Sequence, residues 1–423
     1  MGSSRSQERQ RALGRADLSC ANDHHPSRAW LSRGPLPPSA RLGGIEGLRA
    51  LAASGVLIWH VWAHETNAPG YGVGLPPFTK LFDNARVGVA MFFVLSGFLL
   101  YRPFAAATIR RLPQPSVRRY FRSRALRILP AYWAVLLAVA VLLQRELLER
   151  PLQLLANLTF VQIYVPSYVT PVHGLGIDPA WSLCVEVVFY LLLPLLSLLA
   201  FGLAEADFIE PVAATFVPVL LLALTGIASL VSFRLFRLGT VWRTGFPPHA
   251  HWFAVGMALG VVRVLWEDGR VRLRRWWRPA AVTAILTLSA VALKLDYSGW
   301  INFDEEQSLL AVACGLLLAL VVLPAPRSLL VRVLEGRPFV GLGLVSYGVF
   351  LWHDPILRAL RDGHVTESGR VGFAFDLLLV GGITVAASIL LYRFVEKPAL
   401  ARKGGGPPTP RADERAAELS AAP

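Results

Sequence analysis

Two ionisable residues in one apolar stretch of the sequence could carry out acid–base chemistry inside a membrane. Arg49 and His60 are eleven residues apart in a run that is otherwise almost entirely apolar. On an α-helix, eleven residues make about three turns and about 16 Å, so both side chains face nearly the same side. Each residue alone also fits a structural role, with Arg49 reaching lipid headgroups and His60 held in the core. Because ionisable groups within membrane spans mark functional positions, the pair on one face favours function.

A carboxylate and two arginines occur in other apolar runs. Glu186 is an acidic residue well inside its run. Such a carboxylate either pairs with a cation, for which Arg86 is a candidate, or takes part in proton transfer. Arg124 and Arg127 lie three residues apart on one helix face, directly before membrane, and guanidinium groups bind phosphates well. A cytoplasmic phosphorylated cofactor is therefore a natural partner of the two arginines.

The composition indicates that lipid is the solvent of the elements that position these residues. The 423 residues are 54% hydrophobic and 17% charged, whereas soluble domains are usually about 25% charged. The net charge of +14 does not indicate a nucleic-acid surface, because the basic residues do not form one soluble basic face. The three cysteines and nine histidines form no metal-ligand spacing, so we predict no metal site.

The hydrophobic runs predict an all-α, polytopic membrane protein with about ten transmembrane helices. Each run is close to the 20 or so apolar residues that a membrane helix needs. A shorter stretch over 152–165 is predicted to be interfacial or re-entrant. The predicted spans are 46–64, 87–104, 126–143, 180–203, 211–233, 249–266, 279–295, 308–324, 338–357 and 371–392.

The distribution of basic residues predicts that both termini lie in the cytoplasm. Of the 42 Lys and Arg residues, 27 fall in segments that would then be cytoplasmic and 10 in the outer loops. This orientation places His60, Glu186 and His353 towards the outer side. We expect disordered cytoplasmic tails over 1–40 and 401–423, which flank a membrane domain over 41–400.

Six short motifs, in order along residues 41–400, closely resemble the acyltransferase-3 family of integral-membrane acyltransferases. Each motif is modestly specific alone, but the order and the matching spans make a strong signal. The motifs are Gly47–Ala53 with His60, Phe92–Phe98, Arg124–Pro130, Trp181–Glu186, Ser346–Tyr347 with Leu351–His353, and Val395–Pro398.

The resemblance implies a ten-helix fold that transfers an acyl group, often acetyl, from cytoplasmic acyl-CoA to a hydroxyl group. The acceptors of the family include surface polysaccharides, peptidoglycan, Nod-factor-like oligosaccharides and macrolide-type natural products. Ala90 stands where many members carry an acidic residue, so any role of that carboxylate is absent here, and Cys184 occupies a usual serine position. We expect the chain to belong with the single-domain members, which lack a fused hydrolase-like domain.

Together, the residues and the resemblance lead to a hypothesis about mechanism. His60 acts as the general base on the acceptor hydroxyl, and Glu186 orients or charge-balances the imidazole. A transient acyl-imidazole on His60 is the competing route. We expect the CoA phosphates to be bound by Arg49, Arg124 and Arg127. The remaining candidates for a substrate-binding or structural role are Arg86, Ser96, Trp181, Ser182, Tyr347 and His353.

The hypothesis also defines the partners. Acyl-CoA is a co-substrate, and no cofactor is permanently bound. The acceptor is a hydroxyl-bearing glycan or natural product, and the location is the bilayer of a bacterial cell membrane. The alternative is a transporter or flippase that moves a lipid-linked sugar or an acyl unit without chemistry, although we find no pair of related halves with broken helices.

Overall fold

The computed structural model describes residues 42–66, 82–165, 176–236, 240–297, 303–323, 328–365 and 370–402. Within these ranges the regular elements are helices and no β-strand is present, which confirms the all-α fold class. The predicted tails lie outside the described residues, except for 401–402. The helices are α1 (Ile45–Thr66), α2 (Gly88–Ile109), α3 (Val117–Ala138), α4 (Glu146–Glu149), α5 (Pro151–Leu158), α6 (Trp181–Glu205), α7 (Pro211–Phe236), α8 (Thr240–Thr244), α9 (Ala250–Glu267), α10 (Trp277–Tyr297), α11 (Phe303–Val322), α12 (Leu329–Leu334), α13 (Arg337–Leu344), α14 (Ser346–Asp362), α15 (Arg370–Leu391) and α16 (Lys397–Ala401).

Seven helical segments in the described residues are long and apolar enough to cross a membrane. They contain α2, α3, α6, α7, α10, α11 and α15. Helices α13 and α14 meet at a bend of 69° and meet the same criterion only as a pair, which would make eight spans. Helices α1 and α9 coincide with two predicted spans, but they are not apolar enough to be counted as membrane-crossing. Polar residues such as Arg49, His60 and Arg263 lower their hydropathy. The count of ten spans and the orientation stay predictions.

Helix α3 begins nine residues before the predicted start of its span. It starts at Val117, and the side chain of Ser116 accepts a hydrogen bond from the backbone N–H of Arg119. This is a normal N-cap, and arginine is a good helix former. Hydropathy marks only the apolar part of a helix, so the basic first turns of α3 were missed.

Helix α2 packs closely against α9 in the core. A Cβ atom added at Gly97 would overlap the backbone carbonyl of Phe253, and one added at Gly256 would overlap that of Val94. The two glycines therefore let the backbones approach closely. Beside this contact, the rings of Phe253 and Phe93 stack with centroids 4.6 Å apart.

Ion pairs join the last turns of α2 and α9. Arg102 lies 2.5 Å from Glu267, and Arg110 lies 2.9 Å from Asp268. Arg110 lies in the run of basic residues between α2 and the middle of α3, and it has a carboxylate partner. These pairs hold the end of α2 that lies farthest along the helix from Arg86.

Candidate active site

Side chains from α1, α2, α3, α6 and α14 surround a cavity of about 110 Å³, which we call the arginine cavity. It collects seven of the eleven candidate residues, although they come from five different helices. The candidates that line it are Arg49, Ser96, Arg124, Arg127, Ser182, Glu186 and Tyr347.

Glu186 lies in the arginine cavity and not beside His60. Its Oε1 accepts hydrogen bonds from the Ser96 hydroxyl and, at 2.6 Å, from the Tyr190 hydroxyl. The prediction had grouped Glu186 with His60 on the outer side. Helix α6 begins at Trp181, and five residues of helix advance about 7.5 Å, which carries Glu186 to the level of the arginines.

The three arginines of the cavity have different partners. Arg127 lies 3.7 Å from Glu396, a residue that is only 2% exposed, and the Nε of Arg49 lies 3.9 Å from Glu46. Arg124 contacts the Ser123 hydroxyl and forms no ion pair with any residue that the structure describes.

A second cavity of about 340 Å³ adjoins the first, and we call it the histidine cavity. His60, Arg86 and Trp181 line it, as do several residues that the sequence analysis did not single out. Val89 and Phe350 line both cavities, so the two cavities lie on either side of these side chains. The two predicted groups of α1, Arg49 and His60, thus lie in different but adjacent cavities.

The hydrogen bonds of His60 define which of its nitrogens can act as a base. Its Nδ1 lies 2.9 Å from the Val56 carbonyl oxygen and 3.2 Å from Nε2 of His353. The Nδ1 of His353 in turn lies 3.0 Å from the Val349 carbonyl oxygen. Carbonyl oxygens only accept, so both Nδ1 atoms carry protons and Nε2 of His353 accepts. Nε2 of His60 is then left with a free lone pair, as a general base requires.

His353, and not Glu186, is therefore the partner of His60. Next to it, Asp354 lies 2.9 Å from Arg358, which also lies 2.7 Å from Asp178. This chain of charges ties α14 to the start of α6 near the two histidines. The sequence pattern had singled out His353 but gave no sign of its contact with His60, which joins residues 293 positions apart.

Arg86 also has a different partner from the one considered. Its Nη2 lies 3.5 Å from Oε2 of Glu306, at the start of α11. The possible ion pair between Arg86 and Glu186 is wrong. The acidic and polar residues at the start of α11 could have indicated this partner of Arg86, since ionisable residues at the edge of an apolar run suggest a site.

Other residues around the cavities could have been found by helix periodicity. Tyr190 is one turn after Glu186, and residues four apart meet on one helix face. Trp59 adjoins His60 in sequence, and their rings are 4.5 Å apart. Within the described part of the chain, no group of three His, Cys, Asp or Glu residues could hold a metal ion.

Comparison with known proteins places this arrangement in a family. A family model described as an acyltransferase domain matches residues 42–393, and the chain belongs to this acyltransferase-3 family. It is a multi-pass membrane protein, as the sequence predicted. No solved structure matches the chain with significant similarity.

Curated relatives of the chain are named as O-acetyltransferases. The O-acetyltransferase OatA of Staphylococcus aureus is 24% identical over 395 residues, which cover 86% of this chain and 58% of the relative. The putative peptidoglycan O-acetyltransferase YrhL of Bacillus subtilis is 26% identical over 380 residues, or 84% of this chain and 54% of YrhL. The peptidoglycan O-acetyltransferase OatA of Listeria monocytogenes is 24% identical over 395 residues, which cover 85% of this chain and 56% of the relative. The chain thus spans little more than half the length of these relatives.

Proposed function

We propose that the chain is a membrane-bound O-acyltransferase. It moves an acyl group, acetyl in the first instance, from acyl-CoA to a hydroxyl group of a cell-envelope glycan. The observation that carries this proposal is the pair of adjoining cavities, one with three arginines and one with a histidine whose Nε2 is free to accept a proton. The names of the relatives support the acetyl group and the glycan.

The spacing between the arginines and His60 suits the length of acyl-CoA. We place the CoA phosphates at Arg49, Arg124 and Arg127. The pantetheine arm is comparable with about four residues of extended chain, or about 14 Å. The eleven residues from Arg49 to His60 rise about 16 Å along α1. A thioester at the end of the arm would therefore reach the junction at Val89 and Phe350, beside His60.

The reaction that we propose keeps atoms and charges balanced. Nε2 of His60 takes the proton of the acceptor hydroxyl, whose oxygen attacks the thioester carbonyl carbon. The new C–O ester bond forms and the C–S bond breaks. The CoA thiolate leaves and takes the proton from the imidazolium, which restores His60. His353 accepts from Nδ1–H of His60 throughout and keeps Nε2 directed at the acceptor.

The same geometry supports a second route, in which Nε2 of His60 attacks the thioester itself. CoA leaves first, and the acceptor hydroxyl then attacks the acyl-imidazole. Acyl-labelled protein that accumulates without acceptor in the wild type, and not in His60→Ala, would select this route.

A transfer assay tests the proposed function. The protein is purified into nanodiscs with labelled acetyl-CoA and N,N′-diacetylchitobiose, and free CoA and O-acetylated sugar are measured. We expect one CoA for each ester formed. His60→Ala should lose the transfer while keeping its thermal unfolding profile. A protein that binds the donor but releases no CoA would contradict the proposal and favour the transporter.

A further inference from the structure

Gln307, on the first turns of α11, is a buried residue in the wall of the histidine cavity that no step above uses. It is 2% exposed, and its Nε2 has no hydrogen-bond partner among the described residues. A buried donor without a partner is costly, so such groups in native proteins call for an explanation. The terminal torsion of glutamine is soft, which lets the amide turn towards the cavity. A ligand oxygen in the cavity would satisfy it.

Three tryptophans that line the same cavity are held in place by specific contacts. The guanidinium of Arg86 lies 5.9 Å from the ring centroid of Trp59. Trp181 lies 5.2 Å from the ring of His249, and Nε1 of Trp252 donates to the Ser308 hydroxyl at 3.4 Å. The cavity therefore has aromatic walls. Indole rings present a flat apolar surface with a negative face, which packs against the C–H face of a sugar ring.

The size and the lining of the cavity suit a small ligand. Two arginines line it: Arg86 pairs with Glu306, and the guanidinium of Arg243 lies 5.5 Å from the centroid of the Phe233 ring. The volume of about 340 Å³ is in the range of small-molecule sites. A mostly apolar cavity with a few polar groups that fix orientation is the usual form of such a site.

We propose that the histidine cavity is a saccharide-binding subsite. One neutral sugar ring lies against the tryptophans, and Nε2 of Gln307 donates a hydrogen bond to an oxygen of that ring or of its N-acyl group. This inference deepens the proposed function and rests on it for the glycan acceptor. An acyl chain or a lipid tail would fit the tryptophans but would leave Gln307 unsatisfied.

Equilibrium binding of a sugar, without any donor, tests the subsite. The probe is N,N′-diacetylchitobiose, titrated into the purified protein in nanodiscs and followed by quenching of tryptophan fluorescence. Loss of one hydrogen bond to a neutral ligand should weaken binding in Gln307→Leu by about tenfold. Gln307→Glu should weaken it as well, because a carboxylate cannot donate.

Gln162→Leu is the matched control. Gln162 is also buried and its amide atoms have no partner among the described residues, but it lines neither cavity. Its replacement should leave sugar binding unchanged, and thermal unfolding of each variant reports whether it is folded.

Each outcome decides the inference. Binding that is weakened only by the Gln307 variants supports it. Absence of saturable binding by the wild type, or equal binding by Gln307→Leu and the wild type, overturns it. If the sugar binds through Gln307 but no acyl transfer occurs, the subsite stands and the proposed function fails.

Discussion

At the scale of single residues, the arrangement of donors and acceptors around His60 gives the imidazole one proton-accepting nitrogen. The Val56 carbonyl oxygen and Nε2 of His353 accept hydrogen bonds from Nδ1–H of His60. Nδ1–H of His353 donates to the Val349 carbonyl oxygen. No carboxylate takes part in this chain among the described residues. The partner of His60 is therefore a neutral imidazole, and the buried carboxylate of Asp354, next to His353 in sequence, pairs with Arg358 instead.

The arginine cavity leads to a prediction about the donor. Arg124→Ala should raise the KM for acetyl-CoA by about ten- to a hundredfold, because a charge-assisted hydrogen bond to phosphate is lost. S-acetyl-pantetheine, which lacks the phosphates, should react equally fast with the variant and the wild type. Initial rates of CoA or pantetheine release measure both values.

Arg119→Ala is the control for this measurement. Arg119 is exposed and lines neither cavity, although it lies on the same helix. Its KM should not change. If Arg124→Ala slowed the reaction equally with acetyl-CoA and with S-acetyl-pantetheine, Arg124 would not bind the phosphates.

The identity of most site residues could be predicted from the sequence, but their grouping could not. Polar side chains in apolar runs stand out because their burial is costly. This signal found His60, Glu186 and His353. Which of these side chains contact each other depends on how the helices are shifted along their axes when they pack together. This shift is set by tertiary packing. For this reason Glu186 was assigned to the wrong group, and Gln307 was missed at the edge of its span.

At the scale of helices, the contact between α2 and α9 sets the position of Ser96 and of the residues beside it. We predict that Gly97→Ala lowers the stability by about 1–3 kcal/mol, because the methyl group would push the two backbones apart. Thermal unfolding in detergent measures the change.

A second glycine provides the comparison. Gly202 lies on α6, and a Cβ added there would have no atom within 4 Å. Gly202→Ala should be neutral or stabilising, since alanine is the better helix former. Equal stability of Gly97→Ala and the wild type would show that the close approach does not support the fold.

The sequence predicted the positions of the long helices, whereas the predicted number of membrane-crossing helices is not confirmed. Every predicted span coincides with a helix or, for 338–357, with the bent pair of α13 and α14. Apolar length alone predicted the bent pair as one span, since a bend does not change composition. The predicted interfacial stretch contains α5 and a 3₁₀ turn, Gln162–Tyr164, with Leu152 and Leu155 exposed.

At the scale of the whole molecule, two neighbouring cavities divide most of the candidate residues into two groups. Arg49 and Arg127 line one and His60 lines the other, and both extend to Val89 and Phe350. Part of the charge of +14 lies here, since three of the arginines line the arginine cavity. Under the proposed function, CoA and the sugar must approach from opposite membrane faces.

Sidedness in sealed vesicles tests this requirement most directly. The protein is inserted into liposomes with N,N′-diacetylchitobiose enclosed and acetyl-CoA outside, and protein in the opposite orientation is inactivated by a membrane-impermeant protease. We expect O-acetylated sugar inside and an equal amount of free CoA outside. Acetylated sugar only when both substrates share one side, or intact acetyl-CoA inside the vesicles, would contradict it.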